Sequence, residues 1–541
     1  MAITRLLVAN RGEIALRVFR TCRRLGIETV AVVAPDDRGS LHARSADAIV
    51  EIASYLDASE IVRAARDSDA DAIHPGYGFL AESADFAAAV GAAQLTWIGP
   101  PPEALRLGGD KVAAKRVAIE AGVPVLPEGA PTTIGFPLLV KAAAGGGGRG
   151  MRIVRSAADL DDALAAAARE AEAAFGDRRV FCERFLERAR HIEVQLVVDA
   201  DGHVLALGQR DCSVQRRHQK VLEESPPTGL TPEARQRLEE AATAFASAIG
   251  YRNVGTAEFL VAGDEIYFLE LNGRIQVEHP VTECVYGVDL VELQIRVANG
   301  ESLASYLPET RGHAIEVRLC AEDPRTFLPQ AGRLERFRVP AGIRLDAGFE
   351  ESDEIGTSYD SLIAKLIAHA DTREAALDQL AAALAETDIA GVTTNLPFLR
   401  WLIAHPELRA GEVTTEFLVE HPPLSPPPLR RVASAWRTPW RLNLPAPPPA
   451  APPDIETAAH APKYEAGAAS TVTAPMPGTV LRVDVSAGDA VRARQTLLVL
   501  EAMKMETPVS SPFDATVTAV HVAAGDRVAG GALLVELGPA S

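Results

Sequence analysis

The sequence predicts an α/β protein that ends in a small all-β domain, and three observations support this fold class. Residues 1–110 alternate apolar runs of strand length with amphipathic helical segments, the pattern of a parallel sheet covered by helices. Residues 136–154 contain four consecutive glycines with one predicted strand before them and one after them. A short-strand unit near the C-terminus occurs twice, with Gly488-Asp489 repeated 37 residues later as Gly525-Asp526, which indicates a sandwich of two similar halves.

Composition sets the limits of the interpretation. A chain of 541 residues with 47% apolar and 23% charged residues is typical of a globular protein with several domains. The formal charge of −19 argues against binding to nucleic acid or to an anionic membrane, because both require basic patches. No apolar run predicts a membrane span or a signal peptide. Five scattered cysteines without Cys-x-x-Cys spacing predict reduced thiols, no zinc site and a cytoplasmic location.

The chain begins with a predicted strand over residues 3–9, the turn Asn10-Arg11-Gly12-Glu13, a helix over residues 14–25 and a strand over residues 27–34. Ligands of such sheets bind at the carboxyl ends of the strands. One glycine is far short of a dinucleotide-binding fingerprint, so a structural and a functional role for this turn have equal weight. The loops rich in glycine and proline at residues 74–83 and 97–100 also have a purely conformational interpretation.

A glycine-rich loop, residues 142–151, follows a predicted strand that ends in Lys141. Four consecutive glycines cost more conformational entropy than an ordinary turn requires. Backbone N–H groups free of side chains can wrap a polyphosphate, with nearby lysines supplying positive charge. The segment is not a Walker A loop, because Met151 follows Gly150 and the next element is a strand. A flexible spacer is the alternative.

Residues 210–220 carry five cationic or potentially cationic side chains within eleven positions of an acidic protein: Arg210, Arg216, Arg217, His218 and Lys220. Clustered positive charge repels itself unless an anion binds there, so this segment is a candidate anion site. A solvated surface is the alternative. A half-buried strand is predicted just upstream, over residues 191–198.

The densest group of polar residues lies in two strands predicted to pair, residues 256–261 and 265–272. Glu258, Glu270 and Asn272 can face one side of this pair. Hard oxygen ligands at that density suit Mg²⁺ bridging phosphate groups, because the ion keeps few protein ligands and completes its octahedron with substrate oxygens.

Arg274, Gln276 and Glu278 follow at alternate positions. A planar cation can fix a small oxyanion and a carboxylate can take its proton, so these residues are candidates for acid–base chemistry. A structural salt-bridge network is the alternative.

A hairpin predicted near the C-terminus carries an unusual tip. An apolar strand over residues 496–500 leads into Glu501-Ala502-Met503-Lys504-Met505-Glu506, and Pro508 ends the pattern. Lys504 should therefore lie at an exposed turn between two methionines. Flexible apolar side chains are unusual in a solvated turn and indicate a surface that a partner recognises, rather than a lysine exposed by chance.

Residues 10–419 resemble a biotin carboxylase of the ATP-grasp superfamily. The motifs that carry the resemblance stand in family order: Gly109-Asp110-Lys111, Lys141, the glycine loop, and the segments 216–220, 270–280 and 313–318. The resemblance implies a parallel α/β N-terminal domain over residues 1–110 and an ATP-grasp domain over residues 111–310, with a mobile lid at about 124–195. An α+β C-terminal domain over residues 311–420 would follow.

The same resemblance implies the roles of individual residues. ATP would be held by Lys111, Lys141, Gly146, Gly147, Gly148, Glu183, Leu186, His191, Gln215 and His218. Magnesium or manganese would be held by Glu258, Glu270 and Asn272, and bicarbonate by Arg274, Gln276 and Val277. Glu278 would act as the base and Arg318 would polarise the ureido oxygen of biotin, with Lys220 and Arg274 as further catalytic residues.

Residues 471–541 resemble a biotinyl carrier domain, a small all-β sandwich of the biotinyl/lipoyl family whose modified lysine lies in Ala-Met-Lys-Met. This resemblance implies that a biotin protein ligase attaches biotin to Lys504 in amide linkage. The thumb insertion of some bacterial carriers is missing, since residues 476–479 run directly into the next strand.

Three features depart from the carboxylase pattern. Gly273 replaces a common threonine and Arg184 replaces a lysine, both tolerable changes. Lys111 and Lys141 are only 30 residues apart, fewer than is usual in the family. A short loop is therefore expected between Pro127 and Gly135 in place of a helix that enters the lid.

The proline-rich segment 421–470 holds 13 of the 37 prolines and predicts an extended linker. Trp436 and Trp440 break the proline pattern and suggest docking on the carboxylase body or on a partner.

The resemblances together imply ATP- and bicarbonate-dependent carboxylation of biotin on the chain's own carrier domain. The chain would be the α subunit of an acyl-CoA carboxylase of the acetyl- or propionyl-CoA type. No carboxyltransferase domain is recognised, so a separate carboxyltransferase (β) subunit is expected, in a homo- or hetero-oligomer. A pyruvate carboxylase component is the second hypothesis, and a carrier scaffold with an inactive ATP-grasp body is the third.

Overall fold

The computed structural model describes residues 2–142, 151–175, 177–216, 219–306, 308–425, 470–502 and 505–539. The N-terminal region forms a five-stranded sheet in the order β3-β2-β1-β4-β5, and each paired neighbour runs parallel. The predicted parallel sheet is confirmed. The elements in chain order are β1 Arg5–Val8, α1 Gly12–Leu25, β2 Glu28–Val33, α2 Leu41–Ser45, β3 Ala48–Glu51, α3 Ala58–Asp67, β4 Ala72–His74, α4 Ala84–Ala92, β5 Thr96–Trp97 and α5 Pro102–Gly109, with a 3-10 turn at Pro35–Asp37.

The next region contains a small three-stranded antiparallel sheet in the order β7-β6-β8, within the predicted lid. It begins with α6 Lys111–Glu120, α7 Pro131–Ile134, β6 Leu138–Ala142, β7 Arg152–Val154, α8 Leu160–Phe175 and β8 Val180–Arg184, with a 3-10 turn at Ala157–Asp159. The loop expected before Gly135 therefore contains one helical turn, α7. Pro131 stands at its first position, where a proline favours helix initiation because the missing N–H has no partner there in any case.

A single eight-stranded antiparallel sheet forms the centre of the body, in the order β13-β12-β9-β10-β11-β14-β19-β17. Its first part contains β9 Arg190–Val198, β10 Val204–Arg216, β11 Gln219–Ser225, α9 Pro232–Ala248, β12 Asn253–Ala262, β13 Glu265–Asn272, α10 His279–Tyr286 and α11 Leu290–Ala298. The predicted pairing of the strands around residues 256–261 and 265–272 is confirmed by β12 and β13.

The C-terminal part of the body continues the same sheet, because β11 pairs with β14 across the predicted boundary at residue 310. The domain boundaries in the sequence therefore do not interrupt the sheet. The remaining elements are β14 His313–Cys320, β15 Gly332–Arg333, β16 Arg336–Arg338, β17 Arg344–Ala347, β18 Glu354–Ile355, β19 Leu362–Ala370, α12 Arg373–Glu386, β20 Asp388–Ala390, α13 Leu396–Ala404, α14 Pro406–Arg409 and α15 Phe417–Glu420.

The C-terminal domain is a sandwich of two four-stranded sheets, β21-β28-β26-β23 and β25-β24-β22-β27. Its strands are β21 Ser470–Thr473, β22 Gly478–Val483, β23 Ala490–Val491, β24 Thr496–Ala502, β25 Met505–Ser510, β26 Ala515–Val520, β27 Arg527–Val528 and β28 Leu533–Pro539. The strands β26, β27 and β28 begin 37 positions after β22, β23 and β24, respectively. The predicted sandwich of two similar halves is confirmed.

The C-terminal domain has its own cluster of buried apolar side chains. In the body, one cluster joins Leu6 of the N-terminal sheet to Val254 and Leu290, and another joins Leu222 to Leu366 of the C-terminal part. Among the described helices, none is long and apolar enough to cross a membrane.

Candidate active site

The three predicted metal ligands lie on one face of the β12–β13 pair. Glu258 is directly opposite Glu270, and Asn272 lies two residues further along β13. The Asn272 Nδ2 atom donates to Glu258 Oε1 at 2.9 Å. Burial and the negative charge of Glu258 raise the pKa of Glu270, and no described residue forms a hydrogen bond or ion pair with its carboxylate. A divalent cation would relieve this excess of negative charge, so the residues fit the predicted metal.

Two lysines converge on Glu183, a predicted ATP residue on β8. Lys141, at the end of β6, contacts its carboxylate, and Lys115 on α6 lies 2.8 Å from the other oxygen. Lys115 was not predicted, although it follows Lys111 by one helical turn on the same face of α6. The positive charge of Lys111, at the start of α6, opposes the rise in the pKa of Glu270.

His191, Gln215 and Leu186 surround the same region. The His191 Nε2 atom lies 2.9 Å from a Glu258 carboxylate oxygen, and its Nδ1 atom lies 2.8 Å from the Gln215 amide nitrogen. Burial lowers the pKa of His191, but the Glu258 carboxylate outweighs burial and raises the pKa above its ordinary value. Leu186 is buried in a small apolar cluster. Four predicted ATP residues lie outside the described residues: Gly146, Gly147, Gly148 and His218.

Lys220 is the centre of a buried group of charges. Its ammonium lies 2.5 Å from Glu193 and 2.9 Å from Glu258, and it also contacts Glu278. Glu193 in turn pairs with Arg210, whose side chain is fully buried. Glu193 was missed from the sequence, although it alternates with His191 along β9 and therefore faces the same side of the strand.

The predicted base, Glu278, caps α10 and has no exposed surface. Its carboxylate contacts Lys220 on one side and Arg318 at 2.9 Å on the other. Burial would raise the pKa of Glu278, but the charges of Lys220, Arg318 and Arg210 hold it well below its ordinary value. Glu223, which was not predicted, lies 2.5 Å from Arg318.

Two of the predicted bicarbonate residues, Arg274 and Gln276, are hydrogen-bonded to the predicted metal ligands. Arg274 Nη1 donates to the Gln276 side-chain oxygen at 3.2 Å, and Gln276 Nε2 donates to Glu258 at 3.0 Å. A further carboxylate, Glu82, lies 3.2 Å from Arg274 Nε. The third predicted bicarbonate residue is Val277, whose carbonyl accepts a hydrogen bond from Lys365 of β19 at 2.9 Å.

Gly273, the departure between Asn272 and Arg274, has a packing explanation. A Cβ atom added there would lie 2.6 Å from Leu105 Cδ2. The glycine therefore gives α5 room to pack against the end of β13.

Lys504 and Met503 lie outside the described residues. The strands on either side, β24 and β25, are paired up to Ala502 and Met505, so the predicted hairpin is confirmed on both flanks of Lys504.

The fold and the site define an ATP-binding enzyme joined to a carrier domain, and comparisons with known families agree. The "Carbamoyl-phosphate synthase L chain, ATP binding domain" matches residues 110–306. The N-terminal and C-terminal domains of biotin carboxylase match residues 2–105 and 316–420, and the "Biotin-requiring enzyme" family matches residues 470–537.

The chain belongs to the biotin carboxylase family. It is 45% identical to the biotin carboxylase of Halalkalibacterium halodurans over 77% of this chain and 97% of that protein. It is 49% identical to the mitochondrial methylcrotonoyl-CoA carboxylase subunit alpha of Oryza sativa subsp. japonica, but spans only 60% of that protein. It is also 46% identical to the mitochondrial pyruvate carboxylase of Mus musculus, of which it spans 38%.

A solved structure supports the same assignment. The biotin carboxylase domain of 2-oxoglutarate carboxylase from Hydrogenobacter thermophilus, in complex with MgADP, ADP and bicarbonate, has a TM-score of 0.75 and 43% identity. The match covers 78% of this chain and 98% of that one. The predicted family and fold class are therefore confirmed, and biotin, ATP and magnesium are confirmed as cofactors at the level of the family.

Proposed function

We propose that this chain carboxylates biotin attached to its own carrier domain, at Lys504, using ATP and bicarbonate. The observation that carries this proposal is Glu278, a buried carboxylate held between Lys220 and Arg318. Lys220 links it to the predicted metal ligand Glu258, to which Gln276 also donates. A base, an oxyanion site and a metal site are thereby joined in one continuous network.

Bicarbonate is a poor electrophile, so it is activated by attack of its oxygen on a phosphoryl group. Removal of its proton makes that oxygen a better nucleophile. Glu278 is the proton acceptor, and Arg274 with Gln276 holds the oxyanion. The deprotonated oxygen then attacks the terminal phosphoryl group of ATP, which forms carboxyphosphate and releases ADP, with charge spread over Lys141 and the loop N–H groups. Carboxyphosphate yields CO₂ and phosphate; the phosphate takes the ureido proton as the ureido nitrogen of biotin bonds to CO₂. Glu258, Glu270 and Asn272 would hold magnesium, which would supply positive charge to offset the negative charge of the nucleotide phosphates.

The strongly lowered pKa of Glu278 keeps the carboxylate ionised but makes it a weak base. Its two cations have alternative partners when substrates bind: Lys220 can pair with phosphate, and Arg318 can hold the ureido oxygen of biotin. Both changes remove positive charge from Glu278 and raise its basicity. The basicity of Glu278 therefore increases as the nucleotide and biotin bind.

The partners follow from the chemistry of the acceptor. The α subunit of an acyl-CoA carboxylase is the preferred assignment, because a methylcrotonoyl-CoA carboxylase subunit alpha is among the most similar relatives. A separate carboxyltransferase subunit would supply the second active site, and a biotin protein ligase would modify Lys504. The similarity to pyruvate carboxylase favours a second candidate, a biotin carboxylase component that serves pyruvate. The cytoplasmic location remains a prediction.

Replacement of Glu278 tests the proposed chemistry. Glu278→Gln should lower bicarbonate-dependent ADP release by about 10²-fold or more, the usual contribution of a positioned base, and should leave biotinylation of Lys504 intact. Glu240→Gln makes the same chemical change on the exposed face of α9 and should be neutral. Near-wild-type turnover in Glu278→Gln would refute the role of the base, and an inactive wild-type chain would favour the scaffold hypothesis.

The acceptor is tested separately. The complete complex, captured through its biotin from the native host, should transfer carboxyl groups to an acyl-CoA when acetyl-, propionyl- and methylcrotonyl-CoA and pyruvate are compared. Transfer to pyruvate alone would select the second candidate.

A further inference from the structure

Two motifs from the N-terminal region have no role in the proposed chemistry: the turn that ends in Glu13, and the loop that contains Tyr77. The structure brings both to one buried position. The Tyr77 hydroxyl donates a hydrogen bond to the Glu13 carboxylate. The same carboxylate lies 3.1 Å from the ammonium of Lys365, a residue of β19 in the C-terminal part of the body. The C-terminal part also packs closely on this turn at Gly348, where an added Cβ atom would lie 2.9 Å from the Glu13 backbone nitrogen.

Lys365 is fully buried, yet it reaches the active site. Its Nζ atom donates to the Val277 carbonyl at 2.9 Å. A buried ammonium is costly unless it is paired and hydrogen-bonded, so this position needs a carboxylate and an acceptor. Glu13 is the carboxylate and Val277 is the acceptor.

Other acceptors are close to Lys365 and are not used. Glu316 lies on the same face of the sheet, because Arg318, two residues further along β14, is directly opposite Lys365. Neither carboxylate oxygen of Glu316 has a hydrogen-bond partner among the described residues. The ammonium extends instead to the turn between β13 and α10.

The Val277 carbonyl belongs to the peptide bond that precedes the proposed base, Glu278. The peptide that contains the Val277 C=O also contains the N–H of Glu278, and its six atoms are planar. A hydrogen bond that fixes the Val277 carbonyl therefore also fixes the orientation of the backbone N–H of Glu278. It also fixes the direction of the turn that carries Gln276 and Val277.

We propose that Lys365, supported by Glu13, is a positioning residue that fixes the Val277–Glu278 peptide and thereby sets the affinity for bicarbonate. This inference depends on the proposed function, because it assumes that bicarbonate binds at this turn. The N-terminal turn and the C-terminal strand β19 then act together on a site to which neither contributes a bicarbonate ligand.

Lys365→Met removes the charge and the donor while keeping most of the side-chain volume. With free biotin and the full chain, it should raise the KM for bicarbonate at least tenfold. The KM for ATP should stay within twofold of wild type, and kcat at saturating bicarbonate within fivefold. A bicarbonate KM within twofold of wild type would overturn the proposal, as would an equal rise in both KM values.

Arg373→Met is the matched control. Arg373 is also a buried cation of the C-terminal part, pairs with Glu224 at 2.6 Å and donates to the carbonyls of Leu408 and Arg409 at 2.8 Å each. It lies away from the bicarbonate turn, so its loss should destabilise the fold without a selective effect on bicarbonate. A selective rise in the bicarbonate KM in this variant would show that the effect is general and would overturn the proposal.

Glu13→Gln tests the same role of the Glu13–Lys365 pair if Lys365→Met does not fold. The amide keeps a partner for Tyr77 and removes only the charge opposite Lys365, so a rise of threefold to tenfold in the bicarbonate KM is expected. No change in that KM would contradict the supporting role of Glu13. If the wild-type chain itself lacks bicarbonate-dependent ATP cleavage, the proposed function fails. If the wild-type chain is active and the variants share its bicarbonate KM, the inference alone fails.

Discussion

The centre of the body and the carrier domain are both built on antiparallel strands, but they bury different kinds of side chain. The central sheet of the body buries charged side chains, among them Arg210, Lys365 and Glu193, each with little or no exposed surface. The core of the carrier is an apolar cluster of residues such as Leu500 and Leu534. The ion pairs described in the carrier, including Arg482 with Asp484, lie at its surface.

The difference follows from what each region does. A buried charge network costs desolvation, but it holds donors and acceptors in fixed positions where charge develops during the reaction. A carrier needs only a stable platform that presents one modified side chain, and apolar packing with two similar halves is sufficient for that. The two regions should therefore fail independently, which four substitutions can test.

The largest effect is expected at Lys504. Lys504→Arg removes the only lysine of residues 471–541 and should abolish covalent biotin on the carrier, as measured by streptavidin blotting and intact mass. ATP cleavage with free biotin should stay within twofold of wild type, because the body is unchanged. Retained biotin on the variant would place the modification elsewhere, and a loss of activity with free biotin would contradict the independence of the two regions.

A core substitution in the carrier should come next. Leu500 is fully buried in β24, and Leu500→Ala should lower the unfolding free energy of the carrier by about 2–5 kcal/mol through lost burial and a cavity. Such a loss is large for so small a domain, so biotinylation should fall sharply while ATP cleavage with free biotin persists. Leu481→Ala is the matched control, since Leu481 is 39% exposed on the neighbouring strand β22. Equal effects of the two substitutions would contradict the assignment of the core.

These results depend on features that differ in how far the sequence predicts them. The ligand face of Glu258, Glu270 and Asn272 could be predicted because alternation along a strand and pairing across a short turn are local properties. The repeat of the carrier could be predicted because it is an identity of sequence at a fixed spacing. Glu193 was also within reach, since it alternates with His191 on the same strand.

Residues that meet only through the fold could not be predicted. Glu13 and Lys365 are separated by most of the body, and no local pattern marks either as part of the site. Glu223 reaches Arg318 only because β11 and β14 pair across the predicted domain boundary. The helical turn α7 was missed because residues 128–134 contain glycine and proline, which signal a loop as readily as a helix start.

The charge network of the body should also show a pH dependence that the carrier core lacks. Burial raises the pKa of Glu223 from 4.5 to about 7. Below about pH 4.5 this carboxyl is protonated in the folded and the unfolded chain alike. Between about pH 4.5 and 7 the unfolded chain ionises first, so Glu223 lowers the stability of the folded protein progressively as the pH rises.

Glu223→Gln cannot ionise, so its thermal stability relative to wild type should increase from pH 5 to pH 7 and level off above about pH 8. Thermal unfolding without nucleotide at several pH values measures this difference. Parallel curves for the two proteins would show that Glu223 is already ionised in the folded state and would weaken the contrast with the carrier.

The smallest effect is expected for an ion pair at the surface of the carrier. Arg482 lies 3.0 Å from Asp484, with its side chain 60% exposed. Exposed pairs gain little Coulomb energy and lose side-chain entropy, so Arg482→Ala should change the unfolding free energy by less than about 0.5 kcal/mol. Salt screens such charges, and the difference should shrink further at high ionic strength. A loss of more than about 2 kcal/mol in denaturant unfolding would mean that the carrier, like the body, depends on its charges, and the contrast between the two regions would not hold.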